Sequence, residues 1–199
     1  MKILLVSEGE HESSAVKALV GRLLHEDIEF ELDRVSRKDI HAHHGKGLGY
    51  FKRAVRWLME ARNRDFDALI LVIDEDGQED RSSQLTQAQQ YQNVELRRAF
   101  GVAIRTFDAW MLADEKALAT ILRTTIQRQP NPETIANSKD VCRRLHQNSP
   151  NNAPLRDIYA DILRTADIKL LEDRCPKGFA PFVERIRRLD PRPSEESIS

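Results

Sequence analysis

Apolar and polar positions along the chain change period several times, and each change marks an element. Two unbroken aliphatic runs, Ile3-Leu4-Leu5-Val6 and Ala68-Leu69-Ile70-Leu71-Val72-Ile73, read as parallel strands buried on both faces. Between them Val16, Leu19, Val20, Leu23 and Leu24 recur at i, i+3, i+4, i+7 and i+8, which predicts an amphipathic helix over residues 10–25. Ile28, Phe30 and Leu32 then alternate with Glu29, Glu31 and Asp33, and this period of two predicts a strand near a sheet edge, wet on one side. A His- and Gly-rich loop over 36–49 precedes a helix with Phe51, Val55, Leu58 and Met59 on one side. Beyond the second aliphatic run, a polar segment over 77–90 leads to a helix ending near Phe100, Val102-Ala103-Ile104 forms a short fourth strand, and another helix opens around Phe107.

This alternation of strand and helix calls for an α/β fold: a mostly parallel four-stranded sheet with helices on both faces, because right-handed crossovers place them there. From Thr120 onward the strand pattern stops, and Pro130, Pro132, Pro150 and Pro154 punctuate short helices predicted over 138–146, 155–165 and 179–189. The predicted organisation is an α/β domain over 1–119, a helical C-terminal subdomain over 120–190 and a disordered tail over 191–199 rich in Pro, Ser and Glu. The helical part is the more basic, with 13 Lys or Arg against 9 Asp or Glu between Thr120 and Asp190.

Composition narrows the classes. A chain of 199 residues, 40% hydrophobic and 32% charged, is long and apolar enough for a real core. Its formal net charge of -1 excludes a protein that coats nucleic acid by charge alone, yet allows a local basic groove. Two cysteines, Cys142 and Cys175, lack paired spacing, so no disulfide framework is implied and a reducing compartment is the default. The N-terminal apolar run meets Glu8 too soon for a signal peptide, and no segment approaches the ~20 apolar residues of a membrane helix. The expected location is cytoplasmic, without a membrane.

The chemistry concentrates where the two aliphatic runs end. The first runs into Glu8-Gly9-Glu10-His11-Glu12 and the second into Asp74-Glu75-Asp76-Gly77. In open α/β sheets ligands sit beyond the carboxyl ends of the strands, so neighbouring strands would converge several carboxylates on one volume. Such crowding is costly at low dielectric unless cations neutralise it, which points to a divalent metal held by oxygen ligands. Asp74 and Asp76, at i and i+2, leave an extended chain on one side and can share an ion, with Glu75 directed elsewhere. Glu10 and Glu12 fall in a first helical turn, where the dipole alone accounts for acids equally well. Asp108 has two readings of the same kind, site residue or helix cap.

Other motifs are weaker. His41, His43 and His44 lead into Gly45-Lys46-Gly47, either a solvated loop or one that brings Lys46 to a phosphate as a point charge. Trp110, Met111 and Leu112 read as core. Arg143, Arg144, Arg185, Arg187 and Arg188 form either solvated helix faces or a nucleic-acid surface.

A hydrophobic strand, Glu-Gly-x-x-Glu over Glu8 to Glu12, and a later strand ending in Asp74-x-Asp76 together resemble the Toprim fold of topoisomerases, primases, ribosomal-RNA maturases and OLD-type nucleases. More closely, the chain resembles a bacterial Toprim-like family, domain of unknown function 4276. The stretches that carry the likeness are Ser7 to Glu12, Gly45-Lys46-Gly47, Val72 to Gly77, Ile104 to Asp114 with its Phe-Asp-Ala-Trp-Met-Leu-Ala-Asp core, and Cys175 to Phe182. In that family a Glu is usual where this chain has Asp108, one methylene shorter.

The resemblance implies metal-dependent phosphodiester hydrolysis of DNA or RNA. Glu8 would be general acid or base with Lys46 as a further catalytic group; Asp74 and Asp76 would hold Mg2+ or Mn2+, with Glu12 and Asp108 as candidates for a second ion. It also implies a possible ATPase partner in trans, as in phage-defence systems, because the chain has no Gly-x-x-x-x-Gly-Lys-Ser/Thr loop of its own. It offers no room for a topoisomerase's tyrosine domain or a primase's zinc module. Two alternatives stand beside the nuclease: a non-catalytic Toprim-like interaction subunit of an ATPase-containing complex, and a receiver-like phosphoryl acceptor, the latter opposed by Arg105 where a Lys would be needed.

Overall fold

The computed structural model describes residues 1–24, 27–37, 49–78 and 80–190. Four parallel strands, β1 (Lys2–Ser7), β2 (Glu29–Arg34), β3 (Ala68–Asp74) and β4 (Arg97–Ala103), form one sheet in the order β2-β1-β3-β4. The first half of the chain supplies the helices α1 (Glu10–Leu23), α2 (Tyr50–Asn63) and α3 (Asp80–Gln89). After β4 come α4 (Asp108–Met111), α5 (Glu115–Leu122), a 3-10 turn at Pro132–Thr134, α6 (Ser138–Gln147), α7 (Leu155–Thr165), α8 (Ile168–Arg174) and α9 (Phe179–Arg187). None of the described helices is long and apolar enough to cross a membrane.

The pleat explains how one sheet serves two cores. Ile3, Leu5, Ala68, Ile70, Val72 and Ala99 point to a layer shared by α1 and the helices that follow β4, while Leu4, Val6, Leu69, Leu71, Ile73 and Phe100 point to α2 and α3. Phe179, Phe182 and Val183 of α9 and Tyr159, Ile162 and Leu163 of α7 belong to the same apolar cluster as Ile3 and Ile70. The C-terminal helices are thus one continuous layer with α1, and α5 runs through position 119–120. Arg22 fastens that layer by donating to the carbonyls of Leu163 (2.7 Å) and Ala166 (2.9 Å) at the end of α7.

β2 is an edge strand, as its alternation predicts, but Leu32, placed by that alternation on the dry face, is 50% exposed. Three further expectations are corrected. The helix predicted to end near Phe100 ends at Gln89, inside the segment read as polar, and the fourth strand begins at Arg97 rather than Val102. The two arginines disguised it: Arg98 turns back on the chain and donates to the carbonyls of Tyr91 (2.5 Å), Leu96 (3.0 Å) and Val94. The buried face of α2 is Ala54, Trp57, Leu58 and Ala61, while Met59 is 53% exposed; the small alanines let the helix lie close to the sheet. The loop residues His41, His43, His44 and Lys46 and the tail 191–199 lie outside the described residues.

The outer edge of β4 is closed by side chains. Gln89 accepts from the Phe100 N–H (2.9 Å) and donates to the Arg98 carbonyl (3.0 Å), and Arg185 of α9 donates to the Phe100 carbonyl (2.6 Å). Beside them, a Cβ on Gly101 would lie 2.6 Å from the Phe182 ring, so glycine is needed for α9 to reach the sheet. Gly178 serves the same approach: its N–H donates to Glu133 (2.7 Å), and a Cβ there would meet the Val102 carbonyl at 2.7 Å.

Gly101→Ala is therefore expected to destabilise the fold by about 1–3 kcal/mol through overpacking. Gly21→Ala, in α1 with nothing near its Cβ position, is expected to stabilise by roughly 0.5–1 kcal/mol. Urea unfolding of both variants checks the pair; equal effects would show that the Phe182 contact does not limit position 101.

Candidate functional site

The order β2-β1-β3-β4 makes the chain reverse its direction of growth between β1 and β3, and such a switch point opens a crevice at the strands' carboxyl ends. β1 delivers Glu8 there and β3 delivers Asp74. Ser7, fully buried, shapes the first turn: its Oγ donates to the Gly9 carbonyl (2.7 Å) and shares a hydrogen bond with Ser13 Oγ (2.6 Å). Gly9 is extended, with φ -146° and ψ 176°, a conformation open to any residue. What position 9 cannot hold is a side chain, because a Cβ would stand 2.6 Å from Glu12 Oε2. The glycine therefore serves the fold-back of Glu12 against the start of α1 rather than an unusual backbone angle.

The second turn is strained where the first is not. Asp76 has φ 50° and Gly77 φ 70°, and the Asp76 N–H donates to the Arg105 carbonyl at 3.0 Å. Arg81, buried on α3, ties the turn together by donating to the Asp74 carbonyl (2.8 Å) and to Asp76 Oδ2 (2.8 Å). Asp74 Oδ1 accepts from the Phe107 N–H (2.7 Å), which links β3 to the start of α4.

These turns bring Glu8, Glu12, Asp74 and Asp76 within each other's electrostatic reach. Burial and the Glu8 charge push the Asp74 carboxyl up to about 8, against the pull of the Phe107 N–H. Glu8 is also raised, by burial and by Asp76, with Arg81 opposing. Glu12 moves the other way: burial would raise it, but a hydrogen bond and the charge of His11 hold it below the usual carboxylate range. His11 Nε2 lies 2.9 Å from Glu12 Oε1, and its own pKa is raised mainly by that bond. Glu12 Oε2 is buried with no hydrogen-bond partner.

Asp108 sits apart in its bonding. It is buried, with Oδ1 accepting from the Tyr159 hydroxyl and Oδ2 from Thr106 Oγ1 (3.1 Å), while Phe107 occupies the cap position of α4. Tyr159 also meets the edge of the His11 ring at 5.3 Å. Among the described residues no three His, Cys, Asp or Glu side chains are already gathered as a metal-binding group. The donor set is nonetheless all oxygen, carries excess negative charge and includes the unpartnered Glu12 Oε2, which suits a hard divalent cation.

The sequence reading missed Arg81, Tyr159 and the role of His11. Arg81 lies in a polar helix seven residues past Asp74, and Tyr159 is 51 residues from Asp108; neither distance leaves a periodic signal. Among the arginines considered for a nucleic-acid surface, Arg143, Arg187 and Arg188 pair with Asp140, Glu172 and Glu184, and Arg185 closes β4. Trp110, Met111 and Leu112 are core, and Cys142 and Cys175 are buried free thiols.

The geometry at the switch point can be set beside known proteins. No curated protein and no solved structure compared with the chain matches it. A family model does, over residues 7–187, a span that runs from the last residue of β1 to the end of α9 and holds every described site residue. The chain belongs to the family described as domain of unknown function 4276 (DUF4276).

Proposed function

We propose that the chain is a metal-dependent phosphodiesterase of Toprim type, acting on DNA or RNA with Mg2+ or Mn2+. The observation that carries the reading is the gathering of Glu8, Glu12 and Asp76 around a buried Asp74 at the switch point, where burial and then the Glu8 charge push Asp74 up to about 8 and leave the cluster in need of positive charge. Asp74 and Asp76 would hold the cation, with Glu12 Oε2 as a further ligand. Such an ion, when bound, supplies an activated water and neutralises charge growing on phosphate oxygens. Glu8, raised towards neutrality, is suited to hold or release a proton at its carboxyl oxygen during cleavage. Arg81 orients Asp76, and His11 orients Glu12. Asp108 is the weaker candidate for a second ion, since both its oxygens already accept hydrogen bonds. Lys46 stays in the proposal from its Gly45-Lys46-Gly47 setting alone. A separate ATPase subunit is the partner such an enzyme would draw on in phage defence.

One observation favours the second reading, a non-catalytic interaction subunit: Asp76 is already paired with Arg81, and the described residues hold no ready-made metal group. Incubation of the purified chain with labelled DNA and RNA in Mg2+ or Mn2+ separates the two. Cleavage is expected, and Glu8→Gln and Asp74→Asn are each expected to slow it by about 10²-fold or more. Undiminished cleavage in both variants would refute the proposed site, while a wild-type chain inert alone and active only with a partner ATPase would favour the subunit reading.

The raised Asp74 has a consequence for stability. The folded state keeps the Asp74 proton up to about 8, whereas the unfolded chain releases it near the ordinary 3.8. Between those values the folded state binds more protons, so this contribution to stability is complete at acid pH and is lost as pH rises through about 8. In EDTA, urea unfolding from pH 5 to 8.5 is expected to show a decline of at most about 1.4 kcal/mol per pH unit from this group. Asp74→Asn should flatten it, and Mn2+ should oppose it at the alkaline end; identical pH slopes with and without the substitution would contradict the assignment.

A further inference from the structure

Beside the acidic cluster stands a pair of arginines on one ring. Arg81, which holds Asp74 and Asp76, also lies over Tyr50 with its guanidinium carbon 4.7 Å from the ring centre, and Arg53 lies over the same ring at 4.8 Å. The chain of contact from Asp76 through Arg81 and Tyr50 to Arg53 is therefore continuous. Tyr50 itself is within electrostatic reach of Glu8 and Asp76. Its position is fixed by the start of α2, where the Phe51 N–H donates to Gln84 of α3 at 3.2 Å and Gly49 leaves room for that amide, 2.7 Å from its Cβ position.

The two guanidiniums differ in what they are already doing. Arg81 is engaged by a carbonyl and a carboxylate. Arg53 has the Tyr50 ring as its contact; no described carboxylate pairs with it, and its Nε is a buried donor without an acceptor. A buried, unused donor is unfavourable until something accepts from it. A guanidinium held over an aromatic ring has lost conformational freedom beforehand, so a bidentate oxyanion can bind with less further ordering. Such a fork matches carboxylate and phosphate alike, and beside a phosphodiesterase site the fitting oxyanion is phosphate.

A phosphodiester strand has reason to need this contact. Its negative charge is repelled by the same carboxylates that would hold a cation, and the net charge of -1 supplies no general attraction. A positive group at the flank, held at a fixed distance by the Tyr50 ring, lets a strand lie across the crevice with one phosphate secured next to the reacting one. We infer that Arg53, held over Tyr50, is the phosphate-positioning residue of the site and seats the backbone of a nucleic-acid strand beside the acidic cluster. The inference rests on the phosphodiesterase reading and adds a substrate contact on the α2 side. Arg53 acts on binding and register, whereas Glu8 and Asp74 act on the chemical step.

The test is made by binding, in the full chain carrying Glu8→Gln, with fluorescein-labelled single-stranded 15-nucleotide DNA and RNA probes followed by anisotropy at several salt concentrations. Adding Arg53→Gln is expected to weaken binding about tenfold or more and to reduce the slope of log affinity against log salt by about one contact. Arg53→Lys, which keeps the charge, should recover part of the affinity, and unfolding midpoints should stay unchanged. A second arm needs no substitution at position 53: saturating probe should slow modification of Arg53 by phenylglyoxal, read by mass spectrometry, at least tenfold. The inference is overturned if Arg53→Gln binds both strands as the parent does, if the parent binds neither, or if the probe leaves Arg53 modification unchanged. Cleavage lost in Glu8→Gln with binding insensitive to Arg53 would remove this contact while leaving the phosphodiesterase reading intact.

Discussion

The parallel pairing of β1 with β3 is the constraint on which the site depends. It sets Val6 against Leu71 and sends two apolar strands out of the sheet side by side, so the residues that follow have no choice but to share a crevice. Neither Glu8 nor Asp74 would be unusual alone. At the end of a buried sheet Asp74 is raised by burial and then by the Glu8 charge, and Glu8 by burial and then by Asp76, with the aliphatic cores on both faces supplying the low dielectric. The fold that gives stability through Ile3, Leu5, Ile70 and Val72 thus creates the electrostatic tension at their carboxyl ends.

The C-terminal helices bear on that tension from one side. Tyr159 of α7 holds Asp108 and meets the His11 ring, and His11 holds Glu12, so a chain of contacts links the C-terminal layer to the first turn of α1. The bonds from Phe107 to Asp74 and from Thr106 to both Asp108 and Ser138 join the same layer to β3. A substitution that loosens α7 against α1 would disturb the orientation of Glu12 before it touched any strand. On the opposite face, α2 and α3 act through Arg81 and Tyr50.

Much of this could be read from the sequence where a physical period was present. The aliphatic runs of β1 and β3, the alternation of β2 and the spacing of α7 each follow from burial on a fixed geometry, and the acids at the strand ends follow from where the runs stop. β4 was hidden because Arg97 and Arg98 open it, and their polar heads are satisfied by carbonyls of Leu189, Tyr91, Val94 and Leu96 that only the fold brings near. The face predicted for α2 holds at Leu58 and Phe51 and fails at Met59, because Ala54 and Ala61, which flank Trp57 on the buried side, carry little apolar weight in a pattern. The pairing of Asp108 with Tyr159 is a tertiary event across 51 residues and has no local sign.

The balance of charge inside the crevice gives the last step. Among the described residues, the carboxyl groups of Glu8, Glu12, Asp74 and Asp76 meet the Arg81 guanidinium, the His11 imidazole and, at Glu12, the charge of Lys139. Arg81 is committed to the turn after β3, and its bonds to Asp74 and Asp76 fix the positive backbone angles at Asp76 and Gly77. His11 is committed to Glu12, which keeps that carboxylate ionised. Arg81 also offsets part of the rise at Glu8, yet Glu8 and Asp74 both remain raised. The remaining remedies are a proton, which burial and the Glu8 charge make Asp74 keep up to about 8, or a cation from outside. A site relieved only by a proton would lose that relief as pH rises, and this is the physical ground for the proposed divalent ion, which would let both carboxylates stay charged at neutral pH.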